Sequence, residues 1–236
     1  MQSRDQHPTR ERRNMKPRIL ILYYSFTQQT RRVAEAMAEE FSALDCDAEL
    51  CEIEFLDERY HIELPFRPVG RKLFRWLLPQ LMGKTGEVRV PEGVCSQDYD
   101  LICLGSPTWW LNPAMPVVSF LKSPAAGQLL KNRRFAVFTA CRKMWWNNMR
   151  RVKKLARKQG GTFIDGAAFC FRGNDIQSAL SFISYMKNDA NLERFWGVKI
   201  YEFGIPPEGI ARAKEFAREL AVRLMSPSEA NTEDVS

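Results

Sequence analysis

Short apolar runs alternate along the chain with longer stretches in which apolar residues recur every three or four positions. The runs predict five strands, of which the first is continuously apolar after its initial Arg18: Arg18–Tyr24, Ala48–Phe55, Leu101–Gly105, Arg134–Thr139 and Thr162–Phe171. The periodic stretches predict helices at Thr30–Leu44, Pro113–Lys122, Trp145–Arg157 and Pro207–Leu224. Because strands and helices alternate, we expect an α/β domain whose parallel sheet carries helices on both faces.

Two segments exceed this pattern and are interpreted as insertions into one domain spanning residues 17–225. The first, at about 56–93, contains a basic amphipathic stretch at Val69–Met82, and the second, at about 174–204, a predicted helix at Asp175–Met186. Their role is left open: they could form a lid, a contact between two copies of the chain, a partner surface or plain packing. The basic residues 1–16 and the acidic residues 226–236 are expected to be disordered tails.

Charge and composition narrow the range of functions that the protein can have. The net charge of +7 favours an acidic partner, a phosphate-bearing ligand or an anionic surface. The segment Arg142–Lys158 holds eight Lys or Arg and no acid, yet no nucleic-acid motif accompanies it, which argues against nucleic-acid binding. The only two histidines, His7 and His61, leave little room for His-based hydrolysis or zinc binding. No catalytic side chain and no metal site are predicted. If the protein is an enzyme, its chemical step is therefore expected to depend on a bound cofactor.

Six cysteines show no C-x-x-C pair and are expected to be free thiols, with Cys103 and Cys170 buried as small apolar residues. The longest apolar run, Ile19–Tyr24, is too short to span a bilayer. The first sixteen residues have no apolar segment of the kind found in secretory signals. We therefore expect a cytoplasmic protein with no transmembrane segment.

The turn after the first strand is rich in hydroxyl groups and leads directly into a helix. It reads Ser25-Phe26-Thr27-Gln28-Gln29-Thr30. The first amide groups of a helix and the positive end of its dipole favour an anion at such a turn. Simple N-capping of the helix by Thr27 or Thr30 is the alternative.

The third strand leads into Ser106-Pro107-Thr108-Trp109-Trp110-Leu111-Asn112-Pro113, interpreted as a loop. In a doubly wound sheet the first and third strands flank the point where the strand order reverses, and ligands bind there. Neighbouring residues of an extended chain point in opposite directions, so one of the two tryptophans can pack inward while the other offers a flat face to a planar ring. Burial of both indoles is the alternative. Neither a G-x-G-x-x-G fingerprint nor a P-loop is present.

These two segments, together with Ile205-Pro206-Pro207-Glu208-Gly209 before the last helix, resemble the flavodoxin-like FMN proteins, which include flavodoxins and FMN-dependent NAD(P)H reductases. The resemblance implies a doubly wound five-stranded parallel sheet of order 2-1-3-4-5. It also implies that the first turn holds the FMN phosphate, that the second lines the isoalloxazine with Trp109 or Trp110 stacked on it, and that the loop after the fourth strand approaches the pyrimidine side. The implied cofactor-binding residues are Ser25, Phe26, Thr27, Gln28, Gln29, Thr30, Ser106, Pro107, Thr108, Trp109, Trp110, Thr139, Ala140, Cys141 and Arg142.

The chain departs from the family in two places. Gln28 stands where the family usually has glycine, at a point where the backbone needs a positive φ. The loop at 141–146 is bulky and basic where the family has small residues.

We expect an oxidoreductase that passes electrons from NAD(P)H through FMN to a quinone-like or protein acceptor. The basic loop favours this interpretation, since a positive charge beside the flavin stabilises its anionic reduced form. A flavodoxin-type electron carrier is one alternative. An FMN-less binding protein whose basic surface engages an acidic partner is the other.

Overall fold

A central sheet of five parallel strands runs through the computed structural model, which describes residues 16–61, 63–65 and 77–225. The strands lie in the order β2-β1-β5-β7-β8, which is the predicted order 2-1-3-4-5. Their bounds are β1 (Arg18–Tyr23), β2 (Asp47–Glu52), β5 (Leu101–Trp109), β7 (Arg134–Cys141) and β8 (Thr162–Cys170). Short antiparallel pairs join β3 (Glu54–Phe55) to β4 (Val88–Arg89), β6 (Asn112–Pro113) to β5, and β9 (Arg194–Phe195) to β10 (Val198–Lys199).

Helices cover both faces of the sheet, as predicted. They are α1 (Gln29–Ala43), α2 (Glu92–Cys95), α3 (Met115–Leu121), α4 (Pro124–Leu130), α5 (Trp146–Lys158), α6 (Asp175–Asn188) and α7 (Pro207–Met225), with a 3₁₀ turn at Glu58–Tyr60. Strand β1 shows how the two cores are built: Ile19 and Ile21 face α1 and α7, whereas Leu20 and Leu22 face the opposite layer. Alternation along the strand places these pairs on opposite sides of the sheet.

Two sequence predictions of element bounds are corrected, and one helix is added. Strand β5 continues to Trp109 instead of ending at Gly105, because Ser106 and Pro107 pair in register with Thr139 and Ala140 of β7. The predicted second strand is divided into β2 and β3, and β3 pairs with β4 of the first insertion. Helix α4 was not predicted.

The described part of the first insertion packs against the main domain. Gln80 Nε2 donates to the carbonyl oxygen of Pro113 at 2.6 Å, and the amide of Gly86 donates to Ser119 Oγ at 3.0 Å. Residues 69–76 of the predicted basic stretch lie outside the described residues, as do residues 1–15 and 226–236 of the predicted tails. The described portion therefore has a packing role.

The second insertion contains α6, close to its predicted bounds, and the β9–β10 hairpin. Ser181 Oγ donates to the carbonyl oxygen of Tyr201 at 2.8 Å, and the rings of Tyr185 and Phe203 stack with centroids 4.4 Å apart. This insertion packs beside the end of β8, where Phe171 meets Phe203 edge-on at 4.9 Å. Among the helices of the described ranges, none is long and apolar enough to cross a lipid bilayer.

Candidate functional site

The turn after β1 and the end of β5 meet at the carboxyl edge of the sheet. Tyr23 pairs in register with Gly105, and the amide of Tyr24 donates to the carbonyl oxygen of Gly105 at 3.3 Å. The ring of Trp109 meets those of Tyr24 and Phe26 edge-on, with centroids 5.6 and 6.3 Å away. The two segments singled out in the sequence therefore form one site.

Glycine is required at position 105 for this close approach. A Cβ there would lie 2.3 Å from Phe138 Cζ and 2.6 Å from Tyr23 Cβ. Both neighbours are buried in the sheet and cannot move aside.

The start of α1 is open to an anion. Its N-cap is Gln28, which has φ 61° and ψ −1° and makes no side-chain capping hydrogen bond, and the first turn contains no acidic residue. The amide of Arg31 donates to Ser25 Oγ at 3.2 Å. Capping by Thr27 or Thr30, the alternative considered above, is therefore wrong. The left-handed backbone at Gln28 is the conformation for which related loops use glycine.

Gln29 faces the protein rather than the cleft. Its Oε1 accepts from the amide of Ile205 at 3.0 Å, and its Nε2 donates to the carbonyl oxygen of Thr27 at 3.3 Å. Gly204, with φ 124°, makes room for it, since a Cβ there would lie 2.3 Å from Gln29 Oε1. The Gln29 side chain thus links the turn after β1 to the segment before α7. This leaves the backbone of Gln29, rather than its side chain, to contact a ligand.

One of the two tryptophans is buried and the other is exposed, which is the first of the two alternatives that the sequence left open. Trp109 is 9% exposed and belongs to the core, whereas Trp110 is 50% exposed. The chain reverses at Trp110 and Leu111, with φ of 47° and 69°, and returns as β6. Positive φ at both central residues is what a two-residue hairpin turn requires, and it is costly for bulky side chains. This hairpin holds the Trp110 indole outward at the edge of the sheet.

A buried polar cluster fixes the ends of β5 and β7. Asn148 of α5 is fully buried, and its Nδ2 contacts Thr108 Oγ1 and Thr139 Oγ1, both at 2.9 Å, and the carbonyl oxygen of Ser106 at 3.2 Å. Thr139 Oγ1 also donates to the Ser106 carbonyl oxygen at 2.7 Å. The Thr139 hydroxyl, predicted to lie on the pyrimidine side of a flavin, is therefore engaged within the protein.

Sequence reasoning missed Asn148. Trp145, where the predicted helix begins, is exposed, and Asn148 is buried with Val152 and Ala156. The signal was available in the spacing, because these three positions recur every fourth residue.

The loop after β7 carries exposed apolar side chains, and its two basic residues lie against α6. Arg142 Nη1 donates to the carbonyl oxygen of Asp175 at 3.2 Å and to Ser178 Oγ at 3.3 Å. Lys143 forms an ion pair with the Asp175 carboxylate. Ala140 and Cys141 are buried, whereas Met144, Trp145 and Trp146 are exposed.

Cys170 is exposed, so the prediction that it is buried is wrong. It is the last residue of β8, which is the edge strand of the sheet within the described part of the chain. Cys103 is fully buried, as predicted.

A cavity of about 580 Å³ lies on the β2 side of the turn. Tyr24, Phe26 and Arg31 form one wall, and Tyr60 and His61 of the first insertion contribute to the other. Burial, aided by the nearby Glu52 carboxylate, raises the pKa of the Tyr24 hydroxyl, so it stays protonated at neutral pH. Nothing in the sequence pointed to this depression, because its far wall comes from the insertion.

Comparison with known proteins identifies the fold. No protein-family profile and no curated protein matches the chain. A flavoprotein in complex with FMN from Lactobacillus acidophilus is similar in structure, with a TM-score of 0.51 and 23% identity over 64% of this chain and 93% of that chain. A flavodoxin from the domain Archaea has a TM-score of 0.50 and 11% identity over 89% of this chain and 99% of that chain. The chain has the flavodoxin fold, as the resemblance predicts, and its structural neighbours include flavodoxins and FMN flavoproteins.

Proposed function

We propose that this chain binds FMN at the carboxyl edge of its sheet and works as a redox protein. The observation that carries the proposal is the juxtaposition of two features: a helix start whose N-cap residue, Gln28, makes no side-chain capping hydrogen bond, and a tryptophan pair. They are joined through the contact of Phe26 with Trp109, whose ring centroids lie 6.3 Å apart. The similar flavoprotein from Lactobacillus acidophilus was solved with FMN, which supports the same ligand class on the same fold.

The residues at this edge fit the two ends of FMN. The amides of the first turn of α1, unopposed by any acidic side chain there, would hold the phosphate. The exposed indole of Trp110 would lie against the isoalloxazine, while the buried Trp109 supports it from behind. When bound, FMN would supply the capacity to accept and donate electrons. The chain's own residues bind and orient it, and Asn148 keeps the adjacent strand ends in place.

We further propose that the protein is an oxidoreductase that takes electrons from NAD(P)H and delivers them to a quinone-like or protein acceptor. The basic residues of α5 and of the loop before it support this proposal. Arg150, Lys154 and Lys158 are exposed on α5, and Lys143 is exposed on the preceding loop. Such a surface attracts the phosphates of a nicotinamide cofactor, and equally an acidic protein partner in the case of a pure electron carrier.

Matched tryptophan variants test the cofactor site. We expect Trp110→Ala to weaken FMN binding by about tenfold or more, because stacking of a planar base on an aromatic side chain is worth ~1–3 kcal/mol. Trp196→Ala is the control, since Trp196 is 73% exposed on the β9–β10 hairpin. Quenching of FMN fluorescence during titration with each protein gives the affinities.

Equal affinities for the two variants would contradict the site. A wild-type protein that stays colourless after gel filtration with excess FMN would contradict FMN binding altogether. That second result would favour the alternative of a flavodoxin-shaped protein that binds an acidic partner.

A turnover assay distinguishes the proposed oxidoreductase from the alternative of an electron carrier. The FMN-loaded protein is mixed with NADPH or NADH and a soluble quinone, and the loss of nicotinamide absorbance is followed without oxygen. We expect quinone-dependent oxidation from the oxidoreductase. Oxidation only after a separate flavin reductase is added would instead identify a carrier.

A further inference from the structure

Two cysteines stand side by side at the carboxyl ends of neighbouring strands. Cys141 ends β7, Cys170 ends β8, and the two residues are partners in the register of the parallel pair. Their sulfur atoms lie 3.4 Å apart, and both are free thiols. Neighbouring strands lie ~4.8 Å apart, which falls within the Cα separations that disulfides span.

We propose that Cys141 and Cys170 form a dithiol site that closes reversibly to a disulfide by exchange with a disulfide substrate of the glutathione class. Closing the bond brings the two sulfur atoms about 1.4 Å closer, from 3.4 Å to the ~2.05 Å of an S–S bond. Each cysteine is the last residue of its strand and precedes a loop, so the approach needs only the strand ends to move.

The surroundings assign different roles to the two sulfurs. Cys170 is exposed, and its hydrogen bond with Cys141, aided by the charge of Lys143, lowers the pKa of its thiol to about 7. Cys141 is only 2% exposed, and the pKa of its thiol is raised by the same hydrogen bond and by burial. Cys170 is therefore the attacking thiolate and Cys141 the resolving thiol.

The remaining four cysteines lack this environment. Burial is the largest cause of a raised pKa at each of them, and that of Cys51 is raised to about 11. They stay protonated at neutral pH and react slowly with disulfides. The pair at the strand ends is thus chemically distinct within the same chain.

The exchange balances without any further reagent. The Cys170 thiolate attacks one sulfur of the substrate disulfide and forms a mixed disulfide with it. The substrate S–S bond breaks, and the other half of the substrate leaves as a thiolate. Cys141 then gives up its proton to solvent and attacks Cys170 Sγ, which breaks the mixed disulfide and releases the second thiolate. Two protein thiols are oxidised by two electrons while one substrate disulfide is reduced to two thiols.

The test compares wild type with Cys141→Ser, Cys170→Ser and the control Cys46→Ser. Each protein, prepared without added FMN, is incubated in oxidised glutathione at pH 7, quenched in acid, alkylated and mapped by peptide mass. We expect an intramolecular 141–170 disulfide without bound glutathione in wild type and in Cys46→Ser. Cys141→Ser should carry one glutathione at Cys170, and Cys170→Ser should carry neither modification at position 141.

A second measurement reports on the attacking thiol without needing any variant to fold. The rate at which iodoacetamide labels Cys170 in the reduced wild-type protein should rise as the pH increases through about 7, because the thiolate fraction rises with it.

A stable glutathione adduct at Cys170 of the wild type, as in Cys141→Ser, would overturn the proposal. So would a wild type that leaves both thiols free in oxidised glutathione. Because no arm depends on FMN, these results are independent of the proposed cofactor site.

Discussion

Gln28 has the conformation of a glycine at the start of α1. Its φ of 61° lies in the left-handed region, which costs an L-residue ~1–2 kcal/mol, whereas glycine reaches it freely but loses more entropy on folding. Its carbonyl oxygen accepts the first hydrogen bond of the helix, from the amide of Arg32 at 3.0 Å. The position is therefore held by backbone geometry, with no capping hydrogen bond from the Gln28 side chain.

We expect Gln28→Gly to leave the free energy of unfolding unchanged or raise it by up to ~1 kcal/mol, since it relieves the left-handed strain. Gln29→Gly makes the same exchange on ordinary helical backbone and also removes the hydrogen bonds of Gln29 with Ile205 and Thr27, so it should destabilise the protein by ~1 kcal/mol or more. Urea unfolding followed by circular dichroism measures both. Equal destabilisation by the two substitutions would contradict the strain at Gln28.

Single residues differ in how far the sequence predicts them. The positive φ at position 28 followed from the position of glycine in similar loops. The exposure of Cys170 did not follow, because its apolar neighbours resemble those of a buried strand. Its place at the end of β8, the edge strand that the implied strand order already gives, makes it accessible.

Among the elements, the Trp110 hairpin and α5 determine the shape of the site. Asn147 Nδ2 donates to the carbonyl oxygen of Leu111 at 3.1 Å, so α5 also touches the turn of the hairpin. One turn of α5 thus contacts the hairpin through Asn147 and the buried ends of β5 and β7 through Asn148.

Substitutions at the adjacent positions 147 and 148 of α5 measure the contributions of these two sets of contacts to stability separately. We expect Asn148→Ala to destabilise the protein by ~1–3 kcal/mol, because the buried acceptors on Ser106, Thr108 and Thr139 lose a shared donor. Asn147→Ala changes the helix propensity equally but removes partly exposed hydrogen bonds, so its cost should stay below ~1 kcal/mol. Thermal or urea unfolding compares them, and a cost at 147 that matches or exceeds that at 148 would contradict the role of the buried cluster.

Elements whose apolar residues recur at a regular spacing could be predicted from the sequence. Elements that depend on hydrogen bonding to a neighbouring strand could not. Helices α1, α5 and α7 follow stripes in the sequence. The end of β5 reads as a loop, since Ser106, Pro107 and Thr108 are typical loop residues, and only pairing with β7 makes this segment a strand. Helix α4 has a proline in its first turn, a glycine within it and just seven residues, which is too little for a periodic signal.

For the whole molecule, the alternation of strands and helices predicted a parallel sheet with helices on both faces, and the resemblance to the flavodoxin-like FMN proteins implied the strand order that the structure shows. The insertions were predicted to exist but not where they pack. In the structure the described part of the first forms one wall of the cavity beside Tyr24, and the second packs beside the end of β8. These placements depend on distant contacts such as that between Gln80 and Pro113.

The most direct measurement is a crystal structure of the protein with FMN bound. We predict that the phosphate lies against the backbone amides at the start of α1 and that the isoalloxazine lies against Trp110. FMN seated instead in the cavity lined by Phe55, Tyr60 and His61, away from Trp110, would contradict the account.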